Sequence, residues 1–348
     1  MRIAFVIIGY HPTIGGYGRH VKLVSDELRR RGHEVTILTT NFSPGLVEAE
    51  SGVIRFKHDP LFKITPSLFS HLLHNDYDLV HVFGYQSFQP SITALAKCFK
   101  KFPLVFTPHY HPFGHKPMSL RKLFDVTFGN YSLSHADYVV TTTDYEMRLL
   151  RHRANHIKVI PNPLEVDKLK KLKGFKRKYG LKGDFVLFVG RIEQDKGLQY
   201  LIPAVKGLDT TLVVIGNDAG FKAELPVQGN VLFTGPLSQD DLMRAYNECA
   251  FLVLPSRYES FGLVLIEAMH YSKPVIASRV GPVPSIVKDT GLVVPYGDVN
   301  GLRLAVTKLL SDKKLRQSMG RYAYRNSLVY GVDNVVDKLL MIYNKVIE

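Results

Sequence analysis

The opening forty residues constrain the fold more than any other stretch. Residues 2–8, RIAFVII, are almost continuously apolar, which reads as a strand buried on both faces. The loop from Gly9 to Gly18 follows and contains Gly15, Gly16 and Gly18. A helical pattern then runs through Val21, Leu23, Val24 and Leu28 and stops near Gly32, a suitable C-cap, before the strand Val35-Thr36-Ile37-Leu38-Thr39. Strand, glycine loop, helix and strand in this order make a right-handed βαβ unit that opens a doubly wound parallel sheet. Similar apolar runs stand at Leu79–Phe83, Leu104–Thr107, Val139–Thr143, Phe185–Val189, Leu212–Ile215, Val231–Gly235, Phe251–Leu254 and Pro274–Ala277.

The chain has 348 residues, enough for two domains of about 100–200 residues each. No apolar run approaches the roughly 20 residues that span a bilayer. Arg2 and the run after it have the look of a signal peptide, but Gly9-Tyr10-His11-Pro12 ends the run without a small-residue cleavage site, so a first strand is the better reading. Cys98 and Cys249 make neither a disulfide framework nor a zinc pattern, and a reducing, cytoplasmic location is expected. The formal charge is +14; residues 1–164 hold 19 Lys and Arg against 12 Asp and Glu, so each side of that cut carries +7. Local clusters are Arg29-Arg30-Arg31 and Lys168 to Lys178, the latter with seven basic residues. With no nucleic-acid motif and no basic–aromatic interleaving, nucleic acid is not expected as a partner. A weak contact with an anionic membrane surface is, at about 1 kcal/mol for each Lys or Arg near the lipid, although a solvated face accounts for either cluster alone.

The stretch with most chemistry is Pro255 to Glu267, PSRYESFGLVLIE, which follows the run Phe251–Leu254. Leu263, Ile266 and Glu267 fall at helical spacing after Gly262, so the segment reads strand, tight loop, helix. In open α/β sheets ligands bind at such a junction, at the carboxyl end of a strand. Glycine allows close backbone approach, and the first amides of the helix, lacking intrahelical partners, suit a phosphate. Glu259 precedes this anion site and Glu267 lies over a turn inside the helix. Carboxylates repel phosphate but accept hydrogen bonds from sugar hydroxyls. A phosphate flanked by two hydroxyl-bearing groups describes a nucleotide-sugar. Taken alone, two carboxylates at a helix edge also fit an ordinary surface.

The E-x7-E arrangement, with Ser260-Phe261-Gly262 after the first Glu, resembles the motif of retaining GT-B glycosyltransferases of the family 4 (group 1) type. The resemblance implies that Glu259 faces the transferred sugar, that Glu267 binds the ribose, and that the amides of Ser260, Phe261, Gly262 and Leu263 hold the diphosphate. HPTIGGYGRHVKLVSDELRRRGHEVTILT is similar to the family's opening, where paired glycines lie beneath the donor; Gly15 and Gly16 carry over. A nicotinamide fingerprint is disfavoured, since Val21 stands where its last Gly or Ala belongs and Thr39-Thr40-Asn41 lacks the acidic ribose ligand. Gly190 to Gly197, GRIEQDKG, looks like the family's G-R-x4-K-G signature. Arg191 and Lys196 would counter charge on a leaving diphosphate, one as a bidentate fork and the other as a compact charge. Thr107-Pro108-His109 resembles the family's T-x-H, whose His faces the reaction centre; His109 is the match and His111 the register alternative. Such a histidine orients the donor or helps an acceptor hydroxyl lose its proton. Residues around Thr234-Gly235-Pro236 match the place where the family holds the base, while Pro282 and Ser285 depart from its usual Gly and Glu.

Asp76-Tyr77-Asp78 imitates the D-x-D metal motif of the other main glycosyltransferase fold, but Asp78 leads into an apolar strand. The histidines at 109, 111 and 115 have no accompanying carboxylate or thiolate, so no metal site is expected. The implied fold class is α/β, GT-B, two Rossmann-like doubly wound domains with an interdomain cleft. Residues 1–164 form an acceptor-side domain, 165–325 a nucleotide-sugar domain, and 326–348 a helix crossing back to the first. The implied activity is retaining, metal-independent transfer of a hexose from a UDP- or GDP-linked donor to a lipid, glycan or small-molecule acceptor, with no cofactor beyond the donor. It would take place in the cytoplasm, peripheral to the inner face of the membrane. Segments 60–73 and 112–131 mix Phe, Leu, Pro and basic residues and are placed on the acceptor side. A sugar-nucleotide epimerase and a non-catalytic nucleotide-sugar-binding protein are the alternatives. A glycosidase carboxylate pair would leave the basic diphosphate site without a role.

Overall fold

The computed structural model describes residues 1–10, 16–41, 50–59, 64–112, 118–166, 169–226 and 229–348. The chain divides into two compact units, Met1–Pro163 with Val332–Glu348, and Leu164–Gly331.

In the first unit the order is β1 (Arg2–Ile7), α1 (Gly16–Arg30), β2 (Glu34–Thr40), β3 (Val53–Phe56), α2 (Pro66–His74), β4 (Leu79–Phe83), α3 (Gln89–Phe99), β5 (Leu104–Thr107) and α4 (Met118–Phe124). A π-helical turn at Asp125–Gly129, α5 (Asn130–His135), β6 (Tyr138–Thr141), α6 (Asp144–Leu150) and β7 (Ile157–Val159) complete it before the chain leaves. The strands form one parallel sheet of order β3-β2-β1-β4-β5-β6-β7. The apolar run that opens the chain explains its centre. Successive side chains of a strand point to opposite faces, and in β1 Ile3, Phe5 and Ile7 join one core while Ala4 and Val6 join the other. Both faces are therefore covered and no polar alternation is needed. Each of the larger side chains, Ile3, Phe5, Val6 and Ile7, stabilises the unit by about 1.5–3 kcal/mol relative to exposure.

The second unit runs α7 (Phe175–Lys178), β8 (Phe185–Val189), a 3-10 turn (Gln194–Lys196), α8 (Leu198–Val205), β9 (Thr211–Ile215), β10 (Val231–Gly235), α9 (Gln239–Glu248), β11 (Phe251–Leu254), α10 (Leu263–His270), β12 (Val275–Ser278), α11 (Val283–Val287), β13 (Gly291–Val294), α12 (Val299–Ser311) and α13 (Lys313–Ser327). Its six strands are parallel in the order β10-β9-β8-β11-β12-β13. Leu164 N donates to Tyr330 O at 2.7 Å, tying the two ends of this unit together.

The last helix, α14 (Val332–Ile347), belongs to the first unit. It buries Val335, Val336, Leu339, Ile342 and Tyr343 in the core that holds Ile3, Phe5 and Ile7. His81, at the centre of β4, lies 2.6 Å from the Tyr343 hydroxyl through Nδ1 and 2.8 Å from Thr107 Oγ1 through Nε2. Arg30 and Arg31 at the end of α1 pair with Asp333, and Arg31 also with Asp337, on α14. Their hydrogen bonds hold the Glu27 carboxyl down to about 2.

Both sheets reverse direction at one point. In the first the chain adds β2 and β3 on one side of β1 and then crosses to place β4 on the other; in the second β9 and β10 lie to one side of β8 and β11 to the other. A crevice outside the carboxyl ends of the strands opens at such a switch point. Among the described residues no helix is long and apolar enough to cross a membrane.

Candidate active site

In the second unit the loops that leave β8 and β11, the strands flanking the switch point, carry the residues singled out above. After β8, Gly190 N donates to Ile215 O, and Ile192 N donates to Asn217 O at 2.8 Å while Ala219 N returns to Ile192 O at 3.0 Å. Arg191 thus has a fixed backbone on both sides, with a side chain 69% exposed and paired with Glu193 at 3.0 Å. The 3-10 turn ends at Gly197 with φ +75°, where an added Cβ would run into the Pro255 carbonyl. Arg257 N donates to Asp195 O at 2.7 Å, so the two loops are docked backbone to backbone.

That docking brings together residues 63 positions apart. Lys196 Nζ lies 2.7 Å from Glu259 Oε1, both largely buried, and Ser256 Oγ donates to the same oxygen at 2.8 Å. One carboxylate oxygen is held by an ammonium and a hydroxyl. Gly262, φ +84°, is the N-cap of α10 and turns the chain so that the helix starts at Leu263. Leu265 N donates to Gly262 O; the amides of Leu263 and Val264 belong to the first turn, whose donors no helix satisfies internally. Phe261 is buried, its ring edge-on to Tyr330 at 5.8 Å, which fixes the loop between Ser260 and Gly262. Glu267 is 6% exposed, and its Oε2 accepts a hydrogen bond of 2.7 Å from the buried Tyr246 hydroxyl. Glu259 and Glu267 are therefore differently placed: the first beside a cation at the loop, the second deep on the helix and steered by a tyrosine. At Thr234-Gly235, Gly235 O accepts from Gly216 N at 3.2 Å, joining the ends of β9 and β10.

In the first unit Gly15 lies outside the described residues and Gly16 opens α1. His109 follows β5 with φ +49° and is 6% exposed. A positive φ is rare for a residue with a Cβ and signals a constraint from outside the residue. The Tyr17 ring stacks on the His109 ring at 4.5 Å, and His20 meets it edge-on at 5.2 Å. His20 Nδ1 lies 2.7 Å from Asn162 Oδ1. Burial lowers the pKa of His109 well below the usual imidazole value, reinforced by His20, and lowers His20 to about 4, so both rings are neutral at pH 7. His109 Nε2 is buried without a hydrogen-bond partner among the described residues. Neighbouring His111 is half-buried, and its carbonyl accepts from Arg121 at 3.3 Å.

Several residues of these sites had no signature in the sequence. Glu146 of α6 accepts from Tyr110 N at 2.5 Å, from Thr142 N at 2.7 Å and from Thr142 Oγ1 at 3.0 Å, so it pins the backbone immediately after His109. Burial pushes its carboxyl up to about 7 against the pull of those donors. Tyr246, buried on α9, is the donor to Glu267. Ser256 stands inside the quoted motif, but its bond to Glu259 depends on the turn between them. Asp76 pairs with Lys100 at 2.7 Å and Asp78 accepts from Arg2 N at 2.7 Å, so both carboxylates of the D-x-D are engaged structurally. Among the described residues no three His, Cys, Asp or Glu side chains converge as a metal site.

Two family descriptions match the chain in tandem. Glycosyltransferase Family 4 covers residues 14–168 and Glycosyl transferases group 1 covers residues 172–326. The chain is 27% identical to a D-inositol 3-phosphate glycosyltransferase of Corynebacterium diphtheriae, over 99% of this chain and 94% of that one. It is 25% identical to an O-antigen chain mannosyltransferase of Escherichia coli, over 100% and 99%. Among solved structures, Anabaena HepE in complex with UDP superposes with a TM-score of 0.82 at 19% identity, covering 99% of this chain and 100% of that one. The fold is accordingly GT-B, with two Rossmann-like domains. The paired matches, the two doubly wound sheets and full-length relatives agree, and the chain belongs to the glycosyltransferases of the family 4, group 1 type.

Proposed function

We propose that the protein is a retaining, metal-independent hexosyltransferase in which the second unit holds a nucleotide diphosphate sugar and the first unit serves the acceptor. The observation that carries the reading is the convergence of Lys196, Glu259 and Ser256 at the switch point between β8 and β11, with Glu267, held by Tyr246, on the helix that follows. A diphosphate drawn to the first turn of α10 would meet Lys196 and Arg191, whose charges oppose the charge that develops as it leaves. Lys196 would then exchange part of its bond to Glu259 for phosphate oxygen, with Ser256 keeping that carboxylate aligned toward the sugar hydroxyls. Glu267, oriented by Tyr246, would accept from the ribose, and Gly15 and Gly16 would admit the donor closely. His109, neutral and with Nε2 uncommitted among the described residues, would bond a sugar or acceptor hydroxyl.

In the step that fits these groups, the bond from the anomeric carbon to the diphosphate oxygen breaks. The acceptor oxygen bonds the same face of that carbon, and the acceptor proton passes to the departing phosphate. Solved structures of Anabaena HepE contain UDP, UDP with glucose, or UDP-glucose, which supports a nucleotide diphosphate sugar, UDP- or GDP-linked, as the donor. The acceptor is a lipid, a glycan or a small molecule, and the setting is cytoplasmic, at the inner face of an anionic membrane and without nucleic acid.

Binding and slow hydrolysis across UDP-, GDP- and ADP-sugars, without acceptor, test the reading. One preferred donor, with turnover cut at least about a hundredfold in Lys196→Ala and Glu259→Ala while both remain folded, is the expected result. Normal turnover in both variants would sink the site assignment. Donor conversion to an isomer would indicate an epimerase, and tight binding without any turnover a sensor.

A further inference from the structure

We propose that the face of the first unit built from α3, α4 and the π turn lies against an anionic bilayer, which gives the membrane contact suggested above a defined surface. Large apolar side chains are exposed on each of these elements: Leu95 and Phe99 on α3, Leu120 and Leu123 on α4, Val126 and Phe128 on the π turn, with Phe99 at 71% and Val126 at 65%. Single exposed apolar residues are ordinary, whereas a grouped patch marks an interaction site. Phe88, Ile92, Leu95 and Phe99 recur at helical spacing along α3. The Phe88 ring lies 5.8 Å from Phe124 and 5.0 Å from Phe128, so the α3 stripe begins in the aromatic cluster beneath α4 and runs out to solvent. Phe124 also packs against Tyr85 at 5.9 Å. The inward positions are therefore filled, which leaves Leu120, Leu123 and Val126 outside. The π turn is held by Gly129, where a Cβ would run into the Tyr85 hydroxyl.

Charge selects the partner. Between Leu79 and Ala136 the chain carries six Lys and Arg residues and one acid, Asp125. Lys97 and Lys100 are engaged by Asp137 and Asp76, while Lys101 beside Phe99, and Lys122 between Leu120 and Leu123, are exposed. Apolar side chains reaching the acyl boundary, with neighbouring ammonium groups at headgroup level, are the pattern of an interfacial segment. Lysine is depleted at the cores of protein–protein interfaces, which favours lipid over a protein partner. The Arg29–Arg31 cluster is committed to Asp26, Glu27, Asp333 and Asp337, so it offers an anionic surface much less charge than its sequence promises.

Flotation of the full chain with vesicles tests this directly. Phosphatidylcholine vesicles are compared with vesicles of equal parts phosphatidylcholine and phosphatidylglycerol, at low and high salt, without donor or acceptor. The wild type should float with the mixed vesicles and be released by salt. Leu123→Glu combined with Val126→Glu should lower the partition coefficient at least about tenfold, and Lys122→Ala about fivefold. Leu304→Glu on α12, a site 73% exposed in the other unit, should leave it unchanged. Failure of the wild type to float with either vesicle, or flotation of the double variant like wild type, overturns the proposal. So does a double variant that keeps its flotation but loses self-association in sedimentation, since the face then joins two copies of the chain. Because partition needs no turnover, a protein that transfers sugar but does not float sinks only the membrane surface, and one that floats but never transfers sinks only the transferase reading.

Discussion

Replacing Gly197 by Ala, with Gly207→Ala as its control, separates backbone strain from close approach. The two glycines have nearly the same conformation, φ +75° and +70°, but an added Cβ at Gly207 would meet nothing within 4 Å. At Gly197 it would lie 2.9 Å from the Pro255 carbonyl carbon and closer still to the oxygen. A left-handed alanine costs about 1–2 kcal/mol, offset by about 0.4–1 kcal/mol from the stiffer unfolded chain, so Gly207→Ala should cost about 1 kcal/mol. The Gly197 variant carries the same cost and must also open its contact with Pro255 to about 3.5 Å or more. Pro255 is buried and follows directly on β11, so it has little room to yield. The loop bearing Lys196 must therefore retreat by on the order of 1 Å, which would stretch the 2.7 Å bond to Glu259 beyond hydrogen-bonding range. A displacement of about 1 Å can cost roughly a hundredfold in rate, and overpacking adds about 1–3 kcal/mol to the loss of stability. Urea unfolding and kcat/KM for the preferred donor, measured on both variants, provide the check. Equal stability losses, or a Gly197→Ala protein with wild-type kcat/KM, would refute the claim that the docked loops form the donor site.

Two further outcomes concern buried groups. Glu146 keeps its proton to about pH 7 in the folded chain against an ordinary value of 4.5. The folded state thus binds more protons than the unfolded state between those values, and stability falls by about 3 kcal/mol as pH rises through that window. Glu146→Gln should remove this slope in urea unfolding measured across the window, and parallel curves for wild type and variant would show that Glu146 does not carry it. Tyr246→Phe removes the donor to Glu267 and should weaken UDP binding about tenfold with kcat within about twofold, a hydrogen bond to a charged group being worth about 1.5–3 kcal/mol; unchanged affinity by calorimetric titration would detach Tyr246 from the donor site.

The amino-acid sequence determines by itself the features that burial and local backbone chemistry encode. Strands such as β1, β4 and β8 are legible because sheets covered on both faces demand unbroken apolar runs, and the loop–helix junction at Gly262 because glycine and the residues around it form one short motif. The edge strands β3 and β13 escaped that reading. VIRF is half-exposed, and GLVV opens on a glycine with Leu292 and Val293 only half-buried, so neither stands out until a neighbouring strand supplies its hydrogen bonds. Sequence also left His109 and His111 in competition; the fold buries His109 under Tyr17, 92 residues earlier in the chain, and leaves His111 half-buried. The bonds of Lys196 to Glu259, Tyr246 to Glu267 and Glu146 to Tyr110 were equally out of reach, spanning 63, 21 and 36 residues. Periodicity records which face of a strand or helix is buried, but which loops meet is decided by the order of strands in the sheet. Only when β8 and β11 become neighbours does the ammonium of one motif reach the hydroxyl-bound carboxylate of the other and share one hydrogen-bonded point.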